Sequence, residues 1–171
     1  MSDSTVKKIT RLKLHDGEAG VRQTLKLMGR LVREYRANPT IYGLARSLIQ
    51  KVPQKSWRGE VDQMFYFVRD DIRYVKDPVG AEAVQLPTIT LSIKSGDCDD
   101  KVTLLSSLLE SAGHPTRFCA VKVDGKDRYS HVFLQTKIGK SWWVSLETTE
   151  PWPSGKQSPR ISGKMLVFYP R

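Results

Sequence analysis

The sequence predicts an α+β fold in which helices come first and an antiparallel β-meander follows. Three observations carry this reading. Apolar residues recur at three- and four-residue spacing in the first half of the chain and again over residues 98–112. Gly113 then stands where a helix C-cap belongs. Beyond it the period falls to two, in runs rich in Val, Phe and Trp divided by Asp124-Gly125 and Ile138-Gly139-Lys140.

Residues 1–18 are polar and mixed in charge, and read as a mobile arm. From Ala19 to Arg36, Val21, Leu25, Met28, Val32 and Tyr35 form an apolar stripe beside a basic one of Arg22, Lys26, Arg30 and Arg33. Asn38-Pro39 is a helix start, with Asn38 as N-cap and Pro39 at the first helical position; this second helix is expected to reach about Lys51. Residues 19–56 thus form a basic helical extension. A third helix is expected from Trp57, with Val61, Met64, Phe65, Val68 and Ile72 on one face up to Tyr74 and Asp77-Pro78 ending it. An irregular connection of about 18 residues follows, including Pro87, and connections of that length tend to be functional. The helix over 98–112 sets Cys98, Val102, Leu105, Leu109 and Ala112 on one side. Strands are expected near 116–123, 129–136 and 142–147, with Trp142 and Trp143 packing on opposite faces of the last. Residues 151–171 form a Pro-, Ser- and Gly-rich tail whose apolar run Met165–Tyr169 suits an edge strand.

Composition narrows the class. With 39% hydrophobic and 27% charged residues in a chain of 171, a packed core is within reach and wholesale disorder is not expected. No run of 18 apolar residues occurs, so no membrane span is expected, and Met1–Thr5 lacks the apolar stretch of a secretory leader. Two cysteines, Cys98 and Cys119, make neither a disulfide framework nor a zinc site, which points to free thiols in a reducing, cytoplasmic compartment. The net charge of +10 is unevenly spread. Residues 1–60 hold 13 Lys/Arg against 5 Asp/Glu, residues 61–147 hold 11 against 12, and residues 148–171 hold 4 against 1. Basic ends around a near-neutral body suit an anionic partner, either an acidic protein surface or, as a lesser alternative, nucleic acid. A membrane partner is not expected, because the first helix has no Trp or Phe anchor.

Chemistry concentrates at Gly96-Asp97-Cys98-Asp99-Asp100, where loop becomes helix. A thiol in a first helical turn meets unpaired N–H groups and the positive end of the helix dipole, which favour thiolate. Asp97, Asp99 and Asp100 oppose this, so a neighbouring base or cation is needed for a strong nucleophile. The bland alternative is a small apolar Cys on a buried face, with the acids as helix stabilisers. The acids suggest calcium only faintly, since the glycine and distal glutamate of an EF-hand loop are missing, and no cofactor or metal is expected.

His131 lies mid-strand in Tyr129–Phe133. If Ile138-Gly139-Lys140 is a three-residue hairpin loop, Lys137 pairs with Ser141, and counting back along the strands sets His131 directly opposite Glu147 on one face, with Cβ atoms about 5 Å apart. Nucleophile, imidazole and orienting carboxylate then have the makings of a triad; without Cys98 the pair would be an ordinary cross-strand contact. Cys119 reads as core, and His114, in the turn Gly113-His114-Pro115, as exposed.

Taken together, Gly96–Lys101, Leu104-Leu105, His131-Val132 and Leu146–Thr149 resemble the transglutaminase-like superfamily, most closely its small bacterial and bacteriophage members. The likeness covers roughly residues 57–150, with Phe67–Asp70 and Tyr74 upstream. It implies a papain-like core, with the Cys-bearing helix packed on the antiparallel β-meander, and thiol acyl transfer or amide hydrolysis on a protein or peptide substrate. By position, Cys98 would be the nucleophile, His131 the general base and acid, and Glu147 the orienting group, where the family usually has Asp. An oxyanion donor, worth about 3 kcal/mol, is also required; Gln85 in the loop before the cysteine is the side-chain candidate, with the Cys98 N–H as second donor. The leading expectation is therefore a Cys-His-Glu enzyme that hydrolyses amide bonds. The alternatives are a catalytically silent relative used in assembly, such as in a phage particle, and a basic nucleic-acid-binding module.

Overall fold

The computed structural model describes residues 15–77, 83–140 and 142–171. The arm expected over residues 1–18 falls outside them up to residue 14, while Gly17 and Glu18 already belong to the first helix.

The helix that begins at Cys98 is the centre of the molecule. This α5 (Cys98–Ser111) is packed by α1 (Gly17–Tyr35), α2 (Pro39–Ile49), α3 (Trp57–Asp71) and α4 (Pro87–Ile93), and by a sheet on its remaining side. Every residue from Asp100 to Glu110 is buried, not just the one apolar face expected. A helix surrounded on all sides must satisfy its polar side chains internally. The Thr103 and Ser107 hydroxyls donate to the Asp99 and Thr103 carbonyls one turn back, and Ser106 bonds Thr116 at 2.7 Å. Glu110 accepts from the Thr116 N–H and hydroxyl and from Arg171.

The flanking helices follow their sequence signals closely. In α1, Leu25, Met28, Leu31 and Val32 are buried while Arg22, Lys26, Arg30 and Arg33 face water. In α2, Pro39 takes the first position and Asn38 Oδ1 accepts the Thr40 N–H at 3.0 Å. Both helices join α5 and the sheet in one hydrophobic cluster running from Leu25 to Leu166.

The third helix ends earlier than expected. Ile72 turns extended, and β1 (Arg73–Tyr74) pairs in parallel with β2 (Ser95–Gly96). The expected irregular connection also contains α4, opened by Pro87 and ended by Lys94 in the left-handed region (φ 53°). Four of its seven residues are β-branched, so intrinsic propensity gives it no signal; packing on α5 holds it.

The second sheet is antiparallel in the order β5-β4-β3-β6, built from β3 (Thr116–Val123), β4 (Tyr129–Lys137), β5 (Trp143–Leu146) and β6 (Ile161–Phe168). Strand alternation gives it two faces. Phe118, Ala120, Val132, Leu134 and Leu146 join the main core, while Cys119, Val121 and Phe133 form a separate small cluster on the other face. Asp124 and Gly125 both take positive φ in the turn that leaves β3, closed by the Lys126 N–H on the Val123 carbonyl at 3.2 Å, and β4 starts only at Tyr129.

Three local expectations are corrected. Lys137 pairs with Trp143, so the β4–β5 register differs by two from the one read off the sequence. Trp142 precedes β5 and is 89% exposed, and only Trp143 packs, under Arg117 at 4.2 Å. His114 is buried rather than exposed, its Nε2 2.8 Å from Glu60 Oε2, because α3 passes over that turn.

Candidate active site

The pentapeptide Gly96–Asp100 is a helix N-terminus built without slack. Asp97 is the N-cap, its side chain accepting the Asp100 N–H, while the Asp100 carboxylate accepts the Asp97 N–H in return; both bonds are 3.1 Å. A Cβ at Gly96 would lie 2.6 Å from Asp100 Cβ, so only glycine fits beside this reciprocal cap. Cys98 is thereby fixed as the first helical residue, with its thiol half-buried.

Two neighbours reach that thiol. The Val132 backbone N–H donates to the sulfur, which sets Cys98 against β4 next to His131. The last β4–β5 pair is Leu134–Leu146, two residues short of Val132, so the ladder has already ended there. From the other side the thiol donates to Asp99 Oδ1 at 3.7 Å. Burial pushes the Cys98 thiol well above its ordinary range, and the charges of Asp99 and Asp97 push it the same way. Burial and the acids thus overcome the helix N-terminus, and the thiol is protonated at rest.

His131 and Glu147 meet. His131 Nε2 lies 2.7 Å from Glu147 Oε2. The register explains how a displacement of two preserves this contact. β5 ends at Leu146, paired with Leu134; carried one residue on, that register sets Glu147 opposite Phe133, and His131 two residues further along the same face is its diagonal neighbour. A displacement of one would have sent the two side chains to opposite faces. Glu147 is 3% exposed, and its other oxygen accepts the Thr149 N–H at 3.0 Å and hydroxyl at 2.8 Å. Burial works to raise its pKa, but His131 and Thr149 together outweigh burial and hold the carboxyl below its usual range. The imidazole is thus clamped through Nε2, which leaves Nδ1 as the nitrogen able to take a proton.

Gln85 is anchored close to the cysteine helix by its backbone, whose N–H donates to Asp100 Oδ1 at 2.7 Å. Its side-chain carbonyl accepts the Thr90 hydroxyl at 3.2 Å, so half of the amide serves α4.

Three further residues at the site escaped the sequence reading. Asp77 brings a carboxylate oxygen within 4.8 Å of those of Asp97 and Asp100; Asp99, expected in the acidic group, is not part of this trio. Burial first, then the charge of Asp97, raises Asp100 to about 7. Lys101 is 2% exposed and donates to the carbonyls of Ile72 at 2.6 Å and Arg69 at 3.1 Å, tying the end of α3 to the cysteine helix. Tyr74 borders the site: burial raises its phenol pKa, and the charges of Cys98, Asp97, Asp99 and Glu147 add to it. The sequence marked Tyr74 as the place where the apolar period of α3 stops and as part of the upstream stretch of the family resemblance, but gave it no role.

Several solved structures share this fold. A provisionally described protease from Parabacteroides distasonis superposes with a TM-score of 0.60 at 15% identity, over 76% of this chain and 26% of its own. A provisionally described cysteine protease from Cytophaga hutchinsonii gives 0.55 at 14% identity, over 86% of this chain and 60% of its own. This chain therefore spans about a quarter of the first and less than two thirds of the second. Calcium-bound LapG from Legionella pneumophila gives 0.57 at 16% identity, over 81% of this chain and 80% of its own. No curated protein matches the chain. The transglutaminase-like superfamily matches residues 42–148, a stretch that holds Gln85, the Cys98 cap, His131 and Glu147. With more than half its length so matched, the chain belongs to the transglutaminase-like superfamily.

Proposed function

We propose that the protein is a thiol acyl-transfer enzyme that hydrolyses amide or peptide bonds in a protein or peptide substrate. The observation that carries this is the part-buried His131–Glu147 bond of 2.7 Å, one residue along β4 from the N–H that holds the Cys98 sulfur. Because the thiol is protonated at rest, the reading is general-base activation rather than a standing ion pair. His131 Nδ1 takes the thiol proton as sulfur attacks the carbonyl carbon, and Glu147 stabilises the imidazolium that forms. The tetrahedral intermediate collapses, the amine leaves with the proton from His131, and water repeats the cycle on the thioester. Glu147 replaces the family's usual Asp, and the diagonal register accommodates the longer side chain.

The test compares the two thiols. Cys119 is wholly buried with its pKa pushed up to about 12, and is expected to stay unreactive toward iodoacetamide in the folded protein. Cys98 should alkylate, more slowly in His131→Ala, and Cys98→Ala should abolish any cleavage of fluorescent casein. Equal reactivity of the two thiols, or indifference to His131→Ala, returns Cys98 to a packing role.

A second reading concerns calcium, favoured by the Asp77–Asp97–Asp100 trio and by the calcium-bound form of the Legionella protein. Carboxylates within 4.8 Å of one another are donors of the hard oxygen type calcium takes. These three residues would hold the ion, and its charge would offset the acids at the cysteine helix. Calcium should raise the melting temperature, and Asp77→Asn should abolish the rise; an unchanged melting temperature rejects the site.

For partners, the basic stripe of α1 is proposed as a docking face for an acidic protein surface. Arg22 pairs with Glu18, and Arg33 donates to the Pro170 carbonyl, so Lys26 and Arg30 carry most of that proposal. The phage-assembly and nucleic-acid readings gain no support from the comparisons. Among the described residues, no helix is long and apolar enough to cross a membrane.

A further inference from the structure

We propose that Tyr74 is a catalytic residue of this site, its phenol O–H donating a hydrogen bond to the oxyanion that forms on the substrate carbonyl during attack by Cys98. The inference rests on the acyl-transfer reading above and adds to it a donor that sequence reasoning assigned elsewhere.

The placement is set by the short parallel pair. Tyr74 stands beside Gly96 in register, with the Arg73 N–H donating to the Lys94 carbonyl and the Val75 N–H to the Gly96 carbonyl, both at 2.9 Å. These bonds bracket Tyr74 and hold it alongside the segment that delivers Cys98, with only Asp97 between Gly96 and the nucleophile. The strand follows α3 directly, and Lys101 of the cysteine helix grips the Arg69 and Ile72 carbonyls just before it. The cysteine helix is thus fastened to the strand that carries Tyr74 from two directions.

The phenol is also in the right chemical state. Tyr74 is 45% exposed, so its ring borders the solvent side of the site, where a substrate would arrive. Among the described residues no group takes up its hydroxyl, which leaves the O–H to be offered. Burial raises the phenol pKa first, the charges of Cys98, Asp97, Asp99 and Glu147 add to it, and the phenol stays protonated. A protonated phenol is a neutral donor.

The site needs such a donor. An oxyanion at Cys98 would form among Asp97, Asp99 and Glu147, where each nearby negative charge opposes it. The Cys98 backbone N–H is one donor of the free first turn. Gln85 is the rival second donor: its backbone N–H is given to Asp100 and its side-chain carbonyl is held by Thr90, which leaves only its amide NH2 to offer.

The experiment uses two probes that differ in whether an oxyanion forms. With 4-nitrophenyl acetate, His131 takes the Cys98 proton and the S–C bond forms as the carbonyl electron pair moves to oxygen. That pair then returns, the C–O bond breaks, and 4-nitrophenolate leaves with its electrons, giving acetylated Cys98. With iodoacetamide the thiolate displaces iodide at a saturated carbon and no oxyanion appears. Tyr74→Phe should therefore slow the 4-nitrophenolate burst by roughly 10- to 100-fold, within or somewhat below the loss seen on removing one oxyanion donor. Its alkylation of Cys98 by iodoacetamide should stay within about twofold of the parent rate. An unchanged burst in Tyr74→Phe overturns the proposal, as does an equal fall with both probes, which would mean a structural role. Gln85→Leu, run beside it, takes the assignment back to Gln85 if it alone loses the burst selectively. Should Cys98→Ala retain the burst of the parent protein, the acyl-transfer reading itself fails and Tyr74 falls with it.

Discussion

Lys101→Met makes a test of how the cysteine helix is held. The lysine stem is fully packed, and methionine fills a similar volume, so the change removes the amine and little else. Two terms oppose each other. The carbonyls of Ile72 and Arg69 lose their donor, which costs about 1–3 kcal/mol for each buried acceptor left unsatisfied. Against this, burial pulls the Lys101 pKa from 10.5 down to about 8, with Asp70 and Glu147 resisting. Such a displacement corresponds to about 3 kcal/mol against the charged form, which methionine relieves. Near pH 7 the two terms largely cancel. Between pH 8 and 10.5 the folded protein has shed the Lys101 proton while the unfolded chain still holds it. The unfolded state then binds more protons, so the contribution of Lys101 to stability rises with pH across that window and is lost again as pH falls through 8. The penalty of Lys101→Met should accordingly be about 2 kcal/mol larger at pH 10 than at pH 7. Urea unfolding of both proteins at the two pH values, in chelated buffer, measures it. An equal penalty at both, or a larger one at pH 7, would refute the reasoning.

The other predictions address the thiol, the carboxylate and one close contact. Asp99→Asn keeps an acceptor oxygen but removes one of the charges that, after burial, raise the Cys98 thiol, so the pH profile of iodoacetamide alkylation should move to lower pH; an unmoved profile would mean that the Asp99 charge does not hold the proton. Glu147→Gln can still accept from Thr149 but turns an N–H toward His131 Nε2, forcing the ring proton onto Nδ1. The fold should persist while the 4-nitrophenyl acetate burst falls by roughly 10²- to 10⁴-fold, and a retained burst would remove Glu147 from the mechanism. Gly29→Ala improves helix propensity but sets a Cβ 2.5 Å from the Phe168 ring, itself stacked on Phe118. Overpacking should win, lowering stability by about 1–2 kcal/mol in urea unfolding, and a more stable variant would show that Phe168 moves aside freely.

The sequence by itself determined what depends on local pattern. Helical spacing, the Asn38-Pro39 start, the Gly113 stop and the Asp124-Gly125 turn placed most elements to within a few residues, because each signal acts over one or two turns of chain. Parity did the same for His131 and Glu147: side chains alternate along a strand, so a register wrong by two still left them on one face. Only the tertiary structure decided the rest. It set the pairing of Lys137 with Trp143, since pairing is chosen by contacts across the sheet. It formed α4 from β-branched residues, and β1–β2 from two residues each, by packing and pairing rather than propensity. It brought Asp77 to Asp97 and Asp100, Lys101 to the end of α3 and Tyr74 to Cys98, across separations that no periodicity spans. It also fixed the charge state of the thiol, because burial and the surrounding acids, both properties of the folded surroundings, outweigh the helix N-terminus that the sequence could show.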